Sequence, residues 1–542
     1  MNIKQILPFI LLIGVGVQSC KKNLVEIPYS SLSTSNVFTN EQGLKLATLG
    51  IYNSWVNTFW LGSSFAHGIF DPTCRFILAE TGQQYATGGV YGIIEPYISF
   101  SESGQETAFP GSAIEIVWQR LYFTISSANN VIDNATKAVS DTNIADIYIS
   151  EAKFNRAYAY FNLARNFGGV PLVKNAVTSL AQTGDIFGAR ASLDSTYAFI
   201  IEDLLYAEQK LPNTWSGADK AAGRVTAGTA KALLGKVYLN MAGKPLNETA
   251  YYAKAAAKLT EVTTGPYGYG LLSDYKSIFS TKNKKNMEIV LAFTCNMTNT
   301  APDASLAPYF LIQDGISSQP YVLGGSFGLT YSYYQLFENN DVRRDFTTRA
   351  NFVYHYSNGS LGDSLVYDPV KWLYIDQSLG IPYPAWGNGS TRVYGVGYGK
   401  FSGDNLPQGA KPWGYSDDDI EIRYSDVLLS LAEALNETGL SSEALNYLNM
   451  VRQRAGASIY TLTGQDDLRQ KIRKERKLEL MGEGTTVYDI RRWGTLQAEM
   501  AAMSPMQVRS HVIPPYDPKL ELYPIPQQEI NLNPNLVQNP GW

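Results

Sequence analysis

"IRYSDVLLSLAEALNETGLSSEALNYLNMVRQRAG", Ile422 to Gly456, reads as two helices joined by a turn. Apolar residues recur at steps of three and four, the period of an amphipathic helix. They are Tyr424, Val427, Leu428, Leu431 and Leu435 in the first half, and Ala444, Tyr447, Leu448 and Val451 in the second. Thr438-Gly439 interrupts the pattern, and Ser441 stands where an N-cap oxygen is wanted. Each pair of this kind has one face it cannot bury alone, so it must stack on another.

The same pattern recurs upstream. "EAKFNRAYAYFNLARNFGGVPLV" places Phe154, Ala157, Tyr158 and Phe161 on one face and stops at Gly168-Gly169 before Pro171. "STYAFIIEDLLYAEQKLP" aligns Tyr197, Ile200, Ile201, Leu204 and Leu205 and ends before Pro212. "TAKALLGKVYLNMAG" aligns Ala230, Leu233, Leu234, Val237, Tyr238 and Met241. Such pairs resemble tetratricopeptide units, although no strict 34-residue period is kept. Between roughly Ala292 and Asp419 the composition shifts to Gly, Pro, Tyr, Asn and Ser, with short strand-like runs such as "TRVYGVGYGKF". The expected fold is mainly α: tetratricopeptide-like helix pairs carrying an irregular, aromatic-rich insertion of loops and small strands.

At 542 residues and 45% hydrophobic composition the chain can bury a sizeable core. A net charge of −5 without a long basic run gives nucleic acid no electrostatic footprint. Three cysteines, Cys20, Cys74 and Cys295, cannot build a disulfide framework. His67, His355 and His511 show no metal-ligand spacing.

The N-terminus reads as an address. Lys4, an apolar run from Ile6 to Val17, and then Cys20 form the pattern of a bacterial lipoprotein signal, cleaved before Cys20 and acylated there. Gln18 is an unusual residue two places before the Cys, and an ordinary signal with an incidental Cys is the alternative. The run is short for a membrane span, and no other run of 18 apolar residues follows.

Nine segments, taken in order, resemble the SusD/RagB family of Bacteroidetes surface lipoproteins. They are "PYSSLSTSNVFTNEQGLKLATLGIYNS", "VWQRLYFTISSANNVIDNA", "AKFNRAYAYFNLARNFGGVPLV", "AGRVTAGTAKALLGKVYLNMAG", "NKKNMEIVLAF", "ENNDVRRDF", "IRYSDVLLSLAEALNETG", "IRKERKLELMGEGTTVYDIRRWG" and "LYPIPQQEINLNPNLVQNPGW". The resemblance implies an α superhelix of four tetratricopeptide-like pairs with a loop and small-strand ligand face. It implies a non-enzymatic role: capture of oligosaccharide, or of peptide or glycopeptide in some members, as a lid on a SusC-like TonB-dependent outer-membrane barrel. It divides the chain into a signal (1–19), an N-terminal region with helix pairs (20–291) and a C-terminal region with the insertion and final helices (292–542).

Sugar rings present an apolar C–H face and a rim of hydroxyls, which aromatic side chains with polar neighbours can match. Aromatics outside helical periodicity are therefore the candidate ligand residues: Trp60, Tyr85, Tyr91, Tyr321, Trp372 and Trp386, the last two within "KWLYIDQSLGIPYPAW". Any single ring can instead pack under its own loop. Asp376, Asn388 and Arg392 are nearby polar residues.

Other patterns carry less. Gly324 to Gly328 matches G-x-S-x-G, but a nucleophile elbow needs a strand before it, and "SSQPYVLGG" contains Pro320. Glu475 and Glu479 would stand about 5–6 Å apart on one helix face, near the spacing of a retaining glycosidase. Two acids on one helix face point the same way, and Arg473, Arg476, Arg491 and Arg492 are at hand to pair with them, which favours a salt-bridge cluster over a surface glycoside hydrolase. "YGVGYGK" lacks the Ser or Thr that a phosphate loop needs after Lys400. Asp417 to Asp419 could hold calcium or be solvated; no other cofactor or metal is expected.

Overall fold

The computed structural model describes residues 37–56, 113–177, 187–294, 334–349, 418–481, 483–502 and 516–542, together with the strand segments 83–85, 327–329, 351–355, 361–368, 373–376 and 396–398 and residue 400. Helix dominates, as the periodicity requires. Helices α1 (Glu41–Val56), α2 (Ala113–Ala138), α3 (Thr142–Phe167), α4 (Leu193–Lys210), α5 (Ala227–Ala242) and α6 (Tyr251–Thr264) pack in chain order, each against the next. The array then continues directly from α6 to α7 (Tyr424–Glu437), whose neighbours are α8 (Ser441–Arg454) and α9 (Gln465–Glu479). A short helix, α10 (Thr486–Arg492), follows.

Local signals set the helix ends. Asp141, Ser192 and Thr226 accept N-terminal backbone N–H bonds from Asn143, Ser195 and Thr229, each satisfying a donor that the helix leaves open. Gly168 ends α3 with a positive φ of 78°. Between α7 and α8, Gly439 N–H bonds to Asn436 O (3.1 Å) and Leu440 N–H to Leu435 O (2.9 Å), a Schellman closure. Ser441 departs from expectation. It makes no N-cap bond; its hydroxyl is 2.8 Å from Asn436 Oδ1 across the turn, so it ties α8 to the end of α7 instead.

Helix α3 departs more. Its apolar face is buried as read, but so is the opposite side, with Glu151, Asn155, Arg156, Asn162 and Asn166 inside the protein. The reason is position: α2 and α4 flank it, and the C-terminal segment closes over its end through Tyr523 N–H to Asn166 O (2.7 Å). Buried polar groups need partners. Asn155, Asn162 and Asn166 each donate to the carbonyl four residues earlier. Arg156 meets Asp203 of α4 through two bonds of 2.7 and 2.9 Å. Where α5 and α6 cross, a Cβ on Gly235 would stand 2.6 Å from Leu259, so that close approach needs glycine.

One apolar core runs from Trp55 to Leu536, with a satellite of Leu44, Ile51, Val131 and Tyr148 under α1 to α3. The insertion leaves and re-enters this core through one ribbon. Strand β2 (Ile289–Phe293) pairs antiparallel with β9 (Asp419–Arg423), Phe293 opposite Asp419. The composition shift between Ala292 and Asp419 therefore begins and ends on paired strands. Inside it lie β3 (Phe327–Leu329), β4 (Thr348–Arg349), β5 (Asn351–His355), β6 (Leu361–Asp368), β7 (Leu373–Asp376) and β8 (Val396–Tyr398).

Candidate functional site

The insertion is built on two small sheets. Strands β5, β6 and β7 form an antiparallel meander. The second sheet has the order β1-β3-β8-β4, and its edge strand β1 (Gln83–Tyr85) comes from the segment ahead of α2. Tyr85 pairs with Phe327, 242 positions further along the chain. The two aromatic-rich regions of the sequence thus share a sheet at that point. Tyr85 lies on β1 and Asp376 ends β7, paired with Leu365. Trp60, Tyr91, Tyr321, Trp372, Trp386, Asn388, Arg392 and Cys20 lie outside the described residues. By sequence, Trp372 immediately precedes β7 and Trp386 lies ten residues before β8.

What holds the insertion to the helical array is a buried cluster of charges. The short helix Val342–Thr347 delivers Arg343, which donates to Asp341 (2.7 Å), to Glu475 (2.6 Å) and to Glu479 (2.7 Å). Arg423, at the end of β9, reaches Glu479 and Glu483, and bonds Glu288 at 3.0 Å. Lys400 donates to the backbone carbonyls of Glu479 (3.0 Å) and Met481 (2.9 Å) and to the Glu483 carboxylate. Arg452 and Arg454 of α8 complete the set on Glu475 and Glu479. Aromatic rings lie alongside: Phe346 of the insertion packs edge-on to Tyr275, centroids 5.7 Å apart, and Arg454 lies 5.0 Å from the Tyr275 ring.

Electrostatics follow from this crowding. Burial alone would raise the Glu479 carboxyl, but Arg454, Arg423 and Arg343 hold it well below the usual carboxylate range. Burial drives the Lys400 ammonium down to about 8 despite the Glu483 carboxylate beside it.

Glu475 and Glu479 are both 0% exposed. A glycosidase pair must flank a glycosidic bond, and one member must carry a proton. These two reach no substrate, and three arginines keep Glu479 ionised. They are structural acids, as their placement on one helix face suggests, but their partners are not the arginines nearest in sequence. Arg476 pairs with Asp426 (3.0 Å) and Asp489 (2.7 Å), and Arg492 with Glu433 (2.7 Å) and Asp489 (2.7 Å). Arg473 lies over the Trp493 ring at 5.0 Å, and Arg491 donates to Leu520 O at 2.9 Å. Helical spacing turns Arg473 away from the face that carries 475 and 479, whereas Arg476 is drawn off by Asp426 and Asp489.

The remaining motifs resolve in part. Asp418 accepts a 2.8 Å bond from Lys284, and no group of metal-ligating side chains gathers among the described residues. Gly328 of the G-x-S-x-G run lies in β3; Gly324 to Ser326 fall outside the described residues. No described helix is long and apolar enough to cross a membrane.

Residues 294–542 match the sequence model of the SusD family, and residues 79–239 match a family model described as "Starch-binding associating with outer membrane". SusD-like protein P2 of Formosa agariphila is 27% identical over 557 residues, spanning 98% of each chain. A SusD superfamily protein from Parabacteroides distasonis has a similar solved structure, with a TM-score of 0.70 and 25% identity over 92% of this chain and 99% of that one. Surface glycan-binding protein A from Bacteroides thetaiotaomicron, solved in complex with laminarihexaose, shares the fold with a TM-score of 0.69 and 20% identity, over 92% and 100% of the two chains. With SusD family models matching residues 79–239 and 294–542 and an end-to-end relative in P2, this chain is similar to the SusD family over most of its length.

Proposed function

We propose that the chain is a non-catalytic glycan-binding lipoprotein of the cell surface, acylated at Cys20, that captures oligosaccharide and passes it to a SusC-like TonB-dependent barrel in the outer membrane. Residues 1–19 are then the signal that is removed, 20–291 carry the helix pairs, and 292–542 carry the insertion and final helices. The observation that carries the reading is the sheet order β1-β3-β8-β4, which joins the segment ahead of α2 to the insertion. That pairing favours one face for rings from both regions: Trp60, Tyr85 and Tyr91 from the first, Tyr321, Trp372 and Trp386 from the second. The family model's starch-binding description and the laminarihexaose on a protein of the same fold support a glycan as the cargo. Flat rings cover the sugar's C–H face while Asp376, Asn388 and Arg392 serve its hydroxyls.

The test is titration of the purified protein with starch and laminarin oligosaccharides by calorimetry. Changing Trp372 or Trp386 to Ala is expected to weaken binding about tenfold or more, with circular dichroism unchanged, since buried aromatic anchors dominate recognition. Binding of peptides in place of every oligosaccharide moves the cargo to peptide. Release of reducing ends from a glycan by the purified protein overturns the non-catalytic reading.

A further inference from the structure

Away from the insertion, the helical array opens into a cavity of about 250 Å³. Its walls come from the 213–226 connection ahead of α5, the loop that follows α6, and β2; no described lining residue lies between Phe293 and Asp418. Trp215, Tyr267 and Tyr269 supply rings, and Val225, Ile289 and Leu291 an apolar floor. Trp215 is fixed: its indole N–H donates to Val225 O (2.8 Å), and Arg224 stacks 3.9 Å from its ring. Tyr269 is fixed through Thr226 (2.9 Å).

The charges on the wall are unequal. Arg224 is neutralised by Glu151 and by Asp219 (3.1 Å). Lys284, next door, is taken by Asp418. Lys220 on the lining is exposed; Lys285 is half-buried there, and although Asp418 attracts its ammonium through space it makes no hydrogen bond or ion pair with a described residue, and no described carboxylate lines the cavity. Its backbone is held at φ 53°, a conformation that a lysine rarely adopts. The Tyr267 hydroxyl likewise bonds to no described residue, and Asn213 and Thr214 stand exposed beside it.

We infer that this cavity is a second binding site, separate from the insertion, for a single sugar-sized ring that carries a carboxylate or sulfate. The volume fits one ring rather than a chain, being below the 300–1,000 Å³ typical of larger ligands. The ring packs against the aromatics, its anion meets the Lys285 ammonium, and the Tyr267 hydroxyl takes a ring hydroxyl. An unpaired cation beside an apolar floor selects an anion over a neutral sugar, because desolvation strengthens the charge-assisted bond.

The probe is glucuronate, titrated by ligand-observed NMR against the full chain, with glucose as the neutral counterpart. Saturable glucuronate binding that weakens with added salt is expected, and glucose binds at least about tenfold more weakly. Lys285→Asn is expected to weaken glucuronate at least about tenfold; Asn tolerates a positive φ, so the loss cannot be laid to misfolding. Tyr267→Phe is expected to weaken it several-fold. Oligosaccharide binding at the insertion is unchanged in Lys285→Asn, so the two sites fail separately. Absence of glucuronate binding, equal binding of glucose, or indifference to Lys285→Asn overturns the inference.

Discussion

Glu479 has no exposed surface and accepts from Arg343, Arg423 and Arg454. A buried carboxylate so surrounded adds little over a well-packed apolar residue, but removing it strands its partners, at about 3–5 kcal/mol. Against a total stability of about 5–15 kcal/mol that is severe. Glu479→Gln is therefore expected to lower the urea midpoint markedly. The pH dependence follows from the direction of its shift. The folded carboxyl titrates well below the ordinary value of about 4.3, so its stabilisation is present above that value and is lost as pH falls below it. Urea midpoints measured from pH 6 down to 3 should fall more steeply for the native chain than for Glu479→Gln; parallel curves would remove Glu479 from the acid response. The structural nature of Glu475 and Glu479 is legible from their shared helix face. Their partners are not: Arg343 and Arg423 lie 132 and 56 positions from the glutamates they contact, and no local pattern links them.

At the scale of elements, the helix hairpin shows what periodicity can and cannot carry. The 3.6-residue pattern gives α7 and α8, and glycine gives the turn, because Gly439 sits at φ 84° where other residues are strained. A Cβ there meets nothing within 4 Å, so the cost of a side chain is purely conformational. Gly439→Ala is expected to lower stability by about 1 kcal/mol, and Gly439→Asn by less, in paired urea denaturations. Equal midpoints for all three would mean the turn relaxes at no cost. Periodicity under-reads α3, whose second buried side is polar and so carries no apolar signal. It misses β1 altogether: three residues are too few for an alternating pattern, and the partner strand is remote in sequence. The ends of the insertion, by contrast, are legible from composition, because the apolar run of β2 gives way there to Gly, Pro, Asn and Ser, which recede again at the alternating residues of β9. The ligand aromatics are nominated by lying outside helical periodicity, a signal that separates loop from helix but not a ring that faces outward from one that packs beneath.

For the whole molecule, the helices and the insertion are joined by buried charge, a strand ribbon and apolar contacts that include Phe337 in the main core. The array passes from α6 to α7 without the insertion, and the insertion enters the core through the β2–β9 ribbon, the Arg343 and Lys400 side chains and the Phe346 ring. Such a junction makes the insertion a unit able to loosen before the helices do, since local stability follows local contacts. Arg343→Met removes the cation shared by Asp341, Glu475 and Glu479. Glu475 keeps Arg452 and Glu479 keeps Arg423 and Arg454, so the stranded charge is Asp341, on the insertion side of the junction. Asp203→Asn is the matched control, because it weakens a buried pair between α3 and α4 and touches nothing in the insertion. Hydrogen exchange followed by mass spectrometry should show faster exchange in peptides covering 341–349 and 396–400 for Arg343→Met only. Oligosaccharide affinity should fall with it, although Arg343 is too buried to touch a ligand, because a face assembled from two segments binds only while both are held. Asp203→Asn should lower the thermal midpoint and leave affinity alone. Uniform acceleration of exchange across the chain in both variants would instead make helices and insertion one cooperative unit, and the charge cluster a support for the whole core rather than the fastening of a binding face.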